Sequence, residues 1–244
     1  TGKPVEIGGS LGRVSATGFG VIYTTEKVLA AKGKDIKGAT IAIQGFGNVG
    51  QYAAILGSQL GARILAVSDV NGAIFNGDGL NITDLLEYAK TNKSIKGFPK
   101  STAISNEELL GLDVDVLAPC ALDGVLTKDN ANNVKAKFVV EGANGPTTME
   151  ADEIMAKKGI IVVPDILANG GGVIVSYFEW VQDISNYFWD EDQVNKNMKK
   201  IITSAFDQVW KFSVDSKVSM RTAAMGVSMK RIERAMLLRG LYPR

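Results

Sequence analysis

The sequence predicts an α/β fold with a doubly wound, mainly parallel sheet, helices on both faces and a helical C-terminal tail. Two β-branched runs at 39–44 and 63–68 flank an amphipathic stretch at 48–60, which is the pattern of a strand–helix–strand unit. Three more short apolar runs, at 114–118, 138–140 and 160–163, are each bounded by Gly, Pro or acidic residues and read as strands buried on both faces. After Pro164 the strand signal stops and three helical segments follow.

Taken in order, residues 1–13, with Pro4 and Gly8-Gly9-Ser10, read as a connector, and 16–31 as a helix packed before the first strand. The strand at 39–44 runs directly into Gly45-Phe46-Gly47-Asn48-Val49-Gly50. In the next stretch Val49, Tyr52, Ala53, Leu56 and Leu60 recur at helical steps and stop at Gly61, as a helix with a glycine C-cap does. Arg63 to Ser68 forms the second strand, ending at Asp69. Asn71-Gly72 and Asn76-Gly77-Asp78-Gly79 bracket a short hairpin strand, and Thr83 is expected to cap a helix through Lys90. Ser105 with Glu108 has the spacing of a capping box. A crossover helix is expected over 147–158, capped by its threonines and ended by Gly159. The last helices are placed near 172–189, 191–213 and 219–239. The expected partition is a dinucleotide-binding domain at 14–190 and a helical tail at 191–244.

Composition narrows the chemistry. The 244 residues hold 27 Lys+Arg against 26 Asp+Glu, a formal charge of +1, so no electrostatic bias towards nucleic acid is built in. With 45% apolar and 22% charged residues the chain has a globular composition. There is no histidine, which removes Ser-His and Cys-His nucleophile pairs, His-ligated zinc and imidazole acid–base chemistry. Cys120 is the one cysteine, so no intramolecular disulfide forms, and a reducing, cytoplasmic setting is expected. No apolar run approaches the length of about 18 residues that a membrane span needs. The opening Thr1-Gly2-Lys3-Pro4, without Met, suggests a processed or excised piece of a longer chain.

The glycine loop is the strongest local signal. Phosphate binding in such a loop needs glycine at the tight turn, glycine where backbone meets the pyrophosphate, and a third where helix and strand pack. Gly45, Gly47 and Gly50 stand at those spacings, after a strand and at the start of a helix whose free N–H groups attract anions. Asp69 closes the second strand about 20 residues further on, where an acidic side chain accepts from the ribose hydroxyls. Its charge disfavours a 2′-phosphate and Val70-Asn71 supplies no cation, so NAD is expected over NADP; a basic side chain from elsewhere would admit NADP. The plainer reading of Asp69 is a solvated turn residue.

Further motifs carry a resemblance. These are Gly8 to Arg13, Ala16-Thr17-Gly18-Phe19-Gly20-Val21, Gln44 to Gly50, Ala118-Pro119-Cys120-Ala121-Leu122, Glu141-Gly142-Ala143-Asn144-Gly145-Pro146-Thr147-Thr148, and Pro164 through Gln182. Together, in order and across almost the whole chain, they resemble the Rossmann-like cofactor domain of the glutamate dehydrogenase family. Leucine and phenylalanine dehydrogenases share the fold, but their counterpart of 143–148 usually reads differently, so glutamate is placed first. The resemblance implies that Thr17 bonds the nicotinamide carboxamide and that Gly45, Phe46, Gly47, Asn48, Val49 and Gly50 hold the phosphates, mostly through backbone. It also implies that Ala118, Cys120 and Ala121 wall the adenosine and ribose, that Asn144 and Asn169 lie near the nicotinamide and its ribose, and that Ser176 reaches the distal carboxylate of glutamate. The bland readings are helix packing for Thr17, turn satisfaction for the two asparagines and an ordinary helical serine at 176.

The family's reaction moves a hydride from glutamate Cα to nicotinamide, and hydrolysis then yields 2-oxoglutarate and ammonia. The lysine and aspartate that assist it are implied on a preceding substrate domain, in a motif without a match in this chain. The expectation is therefore a chain that binds NAD and turns over little or no glutamate, a monomer as this piece of an enzyme that is a homohexamer when complete, with no nucleic-acid or membrane partner. The alternative is a free-standing NAD(H)-sensing or regulatory dinucleotide-binding module. Asp165 reads as a turn or capping residue and Cys120 as a small buried hydrophobe. Tyr177, Phe178, Trp180, Tyr187, Phe188 and Trp189 read as core or domain-interface packing. Lys230, Arg231, Arg234 and Arg239 read as the solvated face of an amphipathic helix whose apolar side meets the absent domain.

Overall fold

The structure, a computed structural model, describes residues 1–240, so the end of the expected tail, 241–244, lies outside the described residues. The first helix is α1 (Ala16–Ala31), and the central unit is β1 (Thr40–Gln44), α2 (Asn48–Gln59) and β2 (Arg63–Asp69). Then come β3 (Gly72–Phe75), α3 (Ile82–Asn92), β4 (Thr102–Ile104), α4 (Asn106–Leu110) and β5 (Val116–Pro119). The second half is β6 (Phe138–Val140), α5 (Met149–Lys157), β7 (Ile161–Val163), α6 (Asp165–Ala168), α7 (Gly171–Ser185), α8 (Glu191–Ser216) and α9 (Met220–Arg239).

All strands lie in one sheet, ordered β4-β3-β2-β1-β5-β6-β7. β1 pairs in parallel with both β2 and β5, and β5, β6 and β7 continue in parallel. The hairpin strand β3 turns antiparallel on β2, and β4, which the sequence did not signal, pairs antiparallel with β3. Side chains of consecutive strand residues point to opposite faces. Ile41, Ile43, Val116 and Ala118 therefore enter one core with α1, α2, α7 and α8, while Ala42, Leu117 and Val139 enter the other with α4 and α5. Burial on both faces explains why these strands are continuous apolar runs rather than alternating ones.

Local signals hold with small shifts. Ser105 and Glu108 form the capping box, and Thr148 caps α5 by accepting from the Ala151 amide. The cap expected at Thr83 is instead Asn81: its extended backbone lets Oδ1 accept from the Asp84 amide, which leaves Thr83 inside the first turn. The helix expected to reach 189 stops at Ser185 because Asn186 adopts a left-handed φ of +48°.

The expected tail begins inside the core. Val194, Met198, Ile202, Phe206 and Val209 recur along α8 and are buried with α1 and α7, reinforced by ion pairs Lys199–Glu26 (2.8 Å) and Lys27–Asp207 (2.7 Å). By contrast Met229, Ile232, Met236, Leu237 and Leu238 of α9 are exposed. The expected connector is fastened to α7: Lys3 Nζ meets Glu179 at 2.6 Å and Asp183 at 2.7 Å, and Glu179 also accepts from the Gly2 amide at 2.7 Å. No helix among the described residues is long and apolar enough to cross a membrane.

Candidate functional site

Because β1 has β2 on one side and β5 on the other, the chain leaves the carboxyl end of β1 where strand order reverses, the place at which open α/β sheets form a ligand crevice. The loop after β1 occupies this point. Gly45 has φ +98°, a left-handed value that a side chain resists, and a Cβ there would lie 2.7 Å from Ala121 Cβ. A Cβ on Gly50 would lie 1.8 Å from the Gly45 carbonyl, so helix α2 can pass this close to its own loop only without a side chain. Gly47 differs: its φ of −80° suits any residue, and a Cβ there would meet nothing within 4 Å. Nothing in this chain's own packing requires glycine at 47.

Gly47 is also the N-cap of α2 and supplies no capping side chain, so the first-turn amides face the crevice uncapped. Asn48 commits its side chain to the chain's own backbone, donating to the Val14 carbonyl at 2.9 Å. Phe46 is a core anchor, and Val49 packs on the same core. Ser68, unnoticed in the sequence, is buried beneath the loop and accepts from the Gly45 amide at 3.0 Å. On the β5 side, Gln44 accepts from the amides of Cys120 (2.7 Å, carbonyl) and Ala121 (3.3 Å, Oε1), which seats 120–121 against the loop. Ala118 sends its methyl into the core, and Cys120 is buried opposite Gly142. Burial pushes the Cys120 thiol up to about 12, so it stays protonated at neutral pH.

Asp69 ends β2 with both carboxylate oxygens engaged. One accepts from the Asn71 amide at 2.7 Å and the other from Ser94 Oγ (3.0 Å) and the Ile95 amide (2.9 Å). Its partial burial opposes ionisation, but these donors outweigh it and hold the carboxyl below its ordinary range. The segment carrying Ser94 also brings Lys93 and Lys96, exposed in sequence neighbours of a residue that touches Asp69.

A second group of residues gathers where α1 meets α7. A Cβ on Gly172 would lie 2.6 Å from Thr17 Oγ1 and 3.3 Å from an Arg13 guanidinium nitrogen, so the three residues are in contact range. Arg13 Nε donates to Ser176 Oγ at 3.0 Å. No carboxylate among the described residues pairs with Arg13. A half-buried guanidinium beside a hydroxyl and without a counter-ion is suited to a ligand carboxylate. The sequence motif contained Arg13 but did not distinguish it. Between β6 and α7, Asn169 Nδ2 donates to Asn144 Oδ1 at 2.7 Å, which joins the two expected asparagines. Asp165, read as a turn or capping residue, opens α6, where it accepts from the Ile166 amide at 2.8 Å and also from the Gly145 amide at 2.8 Å.

The aromatic cluster divides. Phe178 is buried and meets the ring of Trp189 edge-on at 5.2 Å, whereas Tyr177, Trp180, Tyr187 and Phe188 are exposed rather than core. Tyr187, Phe188 and Trp189 lie beyond the end of α7, so helical spacing does not order them.

Comparison with known proteins is consistent along the chain. Residues 8–240 match the family model described as glutamate/leucine/phenylalanine/valine dehydrogenase. A curated glutamate dehydrogenase of Thermotoga maritima is 53% identical over 244 residues, which is 100% of this chain and 59% of that protein. The hetero-hexameric glutamate dehydrogenase of Thermus thermophilus, crystallised in a leucine-bound form, superposes with a TM-score of 0.91 at 34% identity, covering 100% of this chain and 57% of its own. The Peptoniphilus asaccharolyticus glutamate dehydrogenase gives 0.87 at 37% identity, covering 99% and 57%.

Proposed function

The chain belongs to the glutamate/leucine/phenylalanine/valine dehydrogenase family, and from that premise we propose that it forms the NAD-binding part of a glutamate dehydrogenase, which oxidatively deaminates L-glutamate to 2-oxoglutarate and ammonia. The chain spans 59% of the length of its Thermotoga relative, so the reaction is assigned to the complete protein. The observation that carries the reading is Gly47: its lack of a side chain has no cause in the chain's own packing, and it lies at the uncapped start of α2, where a pyrophosphate needs close backbone approach.

Nicotinamide, when bound, supplies the hydride acceptor. In this reading Gly45 and Gly50 shape the turn, the first amides of α2 bind the phosphates, and Asp69 takes the ribose hydroxyls. Ala121, exposed at the end of this segment, forms the wall beside the adenosine and its ribose, to which Ala118 and Cys120, with buried side chains, add only backbone. Thr17, Asn144 and Asn169 orient the nicotinamide half. Arg13 and Ser176 together hold the distal carboxylate of the substrate; the unpaired Arg13 guanidinium favours an enzymatic role over pure NAD(H) sensing, which needs no such cation. The Thermus relative is a hetero-hexamer, and for the complete protein here we propose a hexamer as well, its acid–base lysine and aspartate lying outside this chain.

Titrating the 244-residue chain with NADH is expected to give a saturable fluorescence signal while glutamate oxidation by the same sample stays at background. No saturation at millimolar NADH rejects the cofactor reading, and robust turnover rejects the assignment of acid–base groups elsewhere. Asp69→Ser is expected to lower affinity for NAD relative to NADP by about tenfold, since it removes both an acceptor for the ribose and a charge that repels a 2′-phosphate. An unchanged ratio of the two dissociation constants means that Asp69, already engaged by Ser94 and Ile95, serves only its own loop.

A further inference from the structure

Past the carboxyl ends of β6 and β7, polar contacts not used by the cofactor reading tie together segments far apart in sequence. Glu141, fully buried directly after β6, accepts from the Asp165 amide at 2.8 Å through Oε2 and from an Arg221 NH2 nitrogen at 2.7 Å through Oε1. Asp165 in turn accepts from the Gly145 amide at 2.8 Å and lies 3.5 Å from another Arg221 nitrogen. Arg221 Nε donates to Asp152 of α5 at 3.0 Å. One guanidinium in the first turn of α9 thus addresses three carboxylates, from the end of β6, from α5 and from α6.

Two of those carboxylates each hold a backbone amide of the opposite loop. Glu141 belongs to the loop at 141–147 and holds the amide of Asp165; Asp165 belongs to the connection at 164–170, the loop that carries the single turn α6, and holds the amide of Gly145. The same loops carry Asn144 and Asn169, joined at 2.7 Å. A planar guanidinium with each of its three nitrogens used on a different carboxylate fixes their relative positions, which the point charge of a lysine does not. Without it the Glu141 charge is buried with no cationic partner, and no cation is left to hold the carboxylates that grip the Asp165 and Gly145 amides. Burial already works to raise the Glu141 carboxyl above its ordinary range, against the pull of Arg221. The other half of α9, from Met229 onward, is exposed along its length, so one end of this helix grips the loops while the other is held by no buried contact.

We propose that Arg221 is a positioning residue which, through Glu141 and Asp165, sets the two loops carrying Asn144 and Asn169 in register with each other and with α9. The geometry stands without a cofactor; that the loops serve the nicotinamide half rests on the proposed function.

Amide hydrogen exchange on the full 244-residue chain tests it, comparing the parent with Arg221→Met and Arg221→Lys. The Gly145 and Asp165 amides are expected to exchange about tenfold faster or more in Arg221→Met, while β1 and β2 amides such as Ile43 and Val67 keep their rates. Arg221→Lys, which reaches one carboxylate at a time, restores part of the protection; if Arg221→Met does not fold, the same contrast between loops and strands is read in Arg221→Lys. Unchanged loop exchange overturns the proposal, and so does equal acceleration of loops and strands, which marks a purely global effect. A second readout compares NADH with ADP-ribose, which lacks the nicotinamide: both variants should weaken NADH more than ADP-ribose, and equal weakening rejects the link to the nicotinamide half. A parent chain that binds neither molecule rejects the cofactor reading, and the exchange comparison then decides the role of Arg221 alone.

Discussion

Gly50→Ala is expected to destabilise the chain by about 3 kcal/mol and to abolish NADH binding, whereas Gly47→Ala should fold like the parent and lose NADH affinity by about a hundredfold. The two glycines sit three positions apart in one loop, yet their surroundings are opposite. At Gly50 an added Cβ would fall 1.8 Å from the Gly45 carbonyl and 3.3 Å from Ile43 Cγ2. Neither neighbour has room to move, since the Gly45 amide is bonded to buried Ser68 and Ile43 lies in the centre of the sheet. Relief would have to come from shifting α2 away from β1, which opens the core beneath. At Gly47 the added methyl meets no atom of the chain, and the reduced freedom of the unfolded chain offsets alanine's poorer fit at the N-cap of α2, so stability stays within about 1 kcal/mol of the parent. Only a ligand approaching the backbone would collide with it. Thermal melts and NADH titrations on both variants check this. If Gly47→Ala binds NADH like the parent, phosphates do not approach that backbone and the proposed site is wrong.

Glu179→Gln is expected to cost about 2 kcal/mol at neutral pH and to flatten the acid side of the stability curve. Glu179 is fully buried on α7, and burial alone would raise its pKa. Lys3 Nζ and the amides of Gly2 and Lys3 outweigh that and hold it down at about 2, against an ordinary 4.5. Below 4.5 the unfolded chain takes up a proton at this position that the folded chain refuses, so the stabilisation is complete above 4.5 and is lost as pH falls towards 2. Denaturant unfolding of parent and variant across that window reads the difference; parallel acid slopes would show that the contact between residues 1–13 and α7 is not carried by this charge. The functional interest is position. Glu179 lies three residues after Ser176 on α7, and Gln182, also buried, donates to Ser10 Oγ at 3.0 Å, so the segment that brings in Arg13 is anchored to the helix that presents Ser176.

How much of this was legible beforehand depends on the range of the interaction. The capping box at Ser105 and Glu108, the strand runs and the glycine loop were readable because each is encoded within a few neighbouring residues. The misplaced cap at Thr83 and the unseen strand β4 are also local, but Asn81 and Thr83 are both good caps, and Thr102–Ile104 is too short and exposed to show a pattern; its pairing with β3 alone makes it a strand. For the aromatic run the choice between core and domain-interface packing was not legible, since spacing shows that residues share a helix face, not whether another element covers it; Phe178 is core, whereas Tyr177 and Trp180 are exposed.

The sequence by itself determined the doubly wound architecture and the place of the glycine loop at the end of β1, since hydrophobic period and glycine spacing are properties of contiguous chain. The tertiary structure alone decided which of three similar glycines is free of steric duty, that Asp69 is shared with Ser94 and Ile95, that Arg13 reaches Ser176, and that Arg221 ties together Glu141, Asp152 and Asp165. Each of those depends on ångström-scale distances between segments brought together only when the sheet and its helices pack, and no local pattern encodes such a distance.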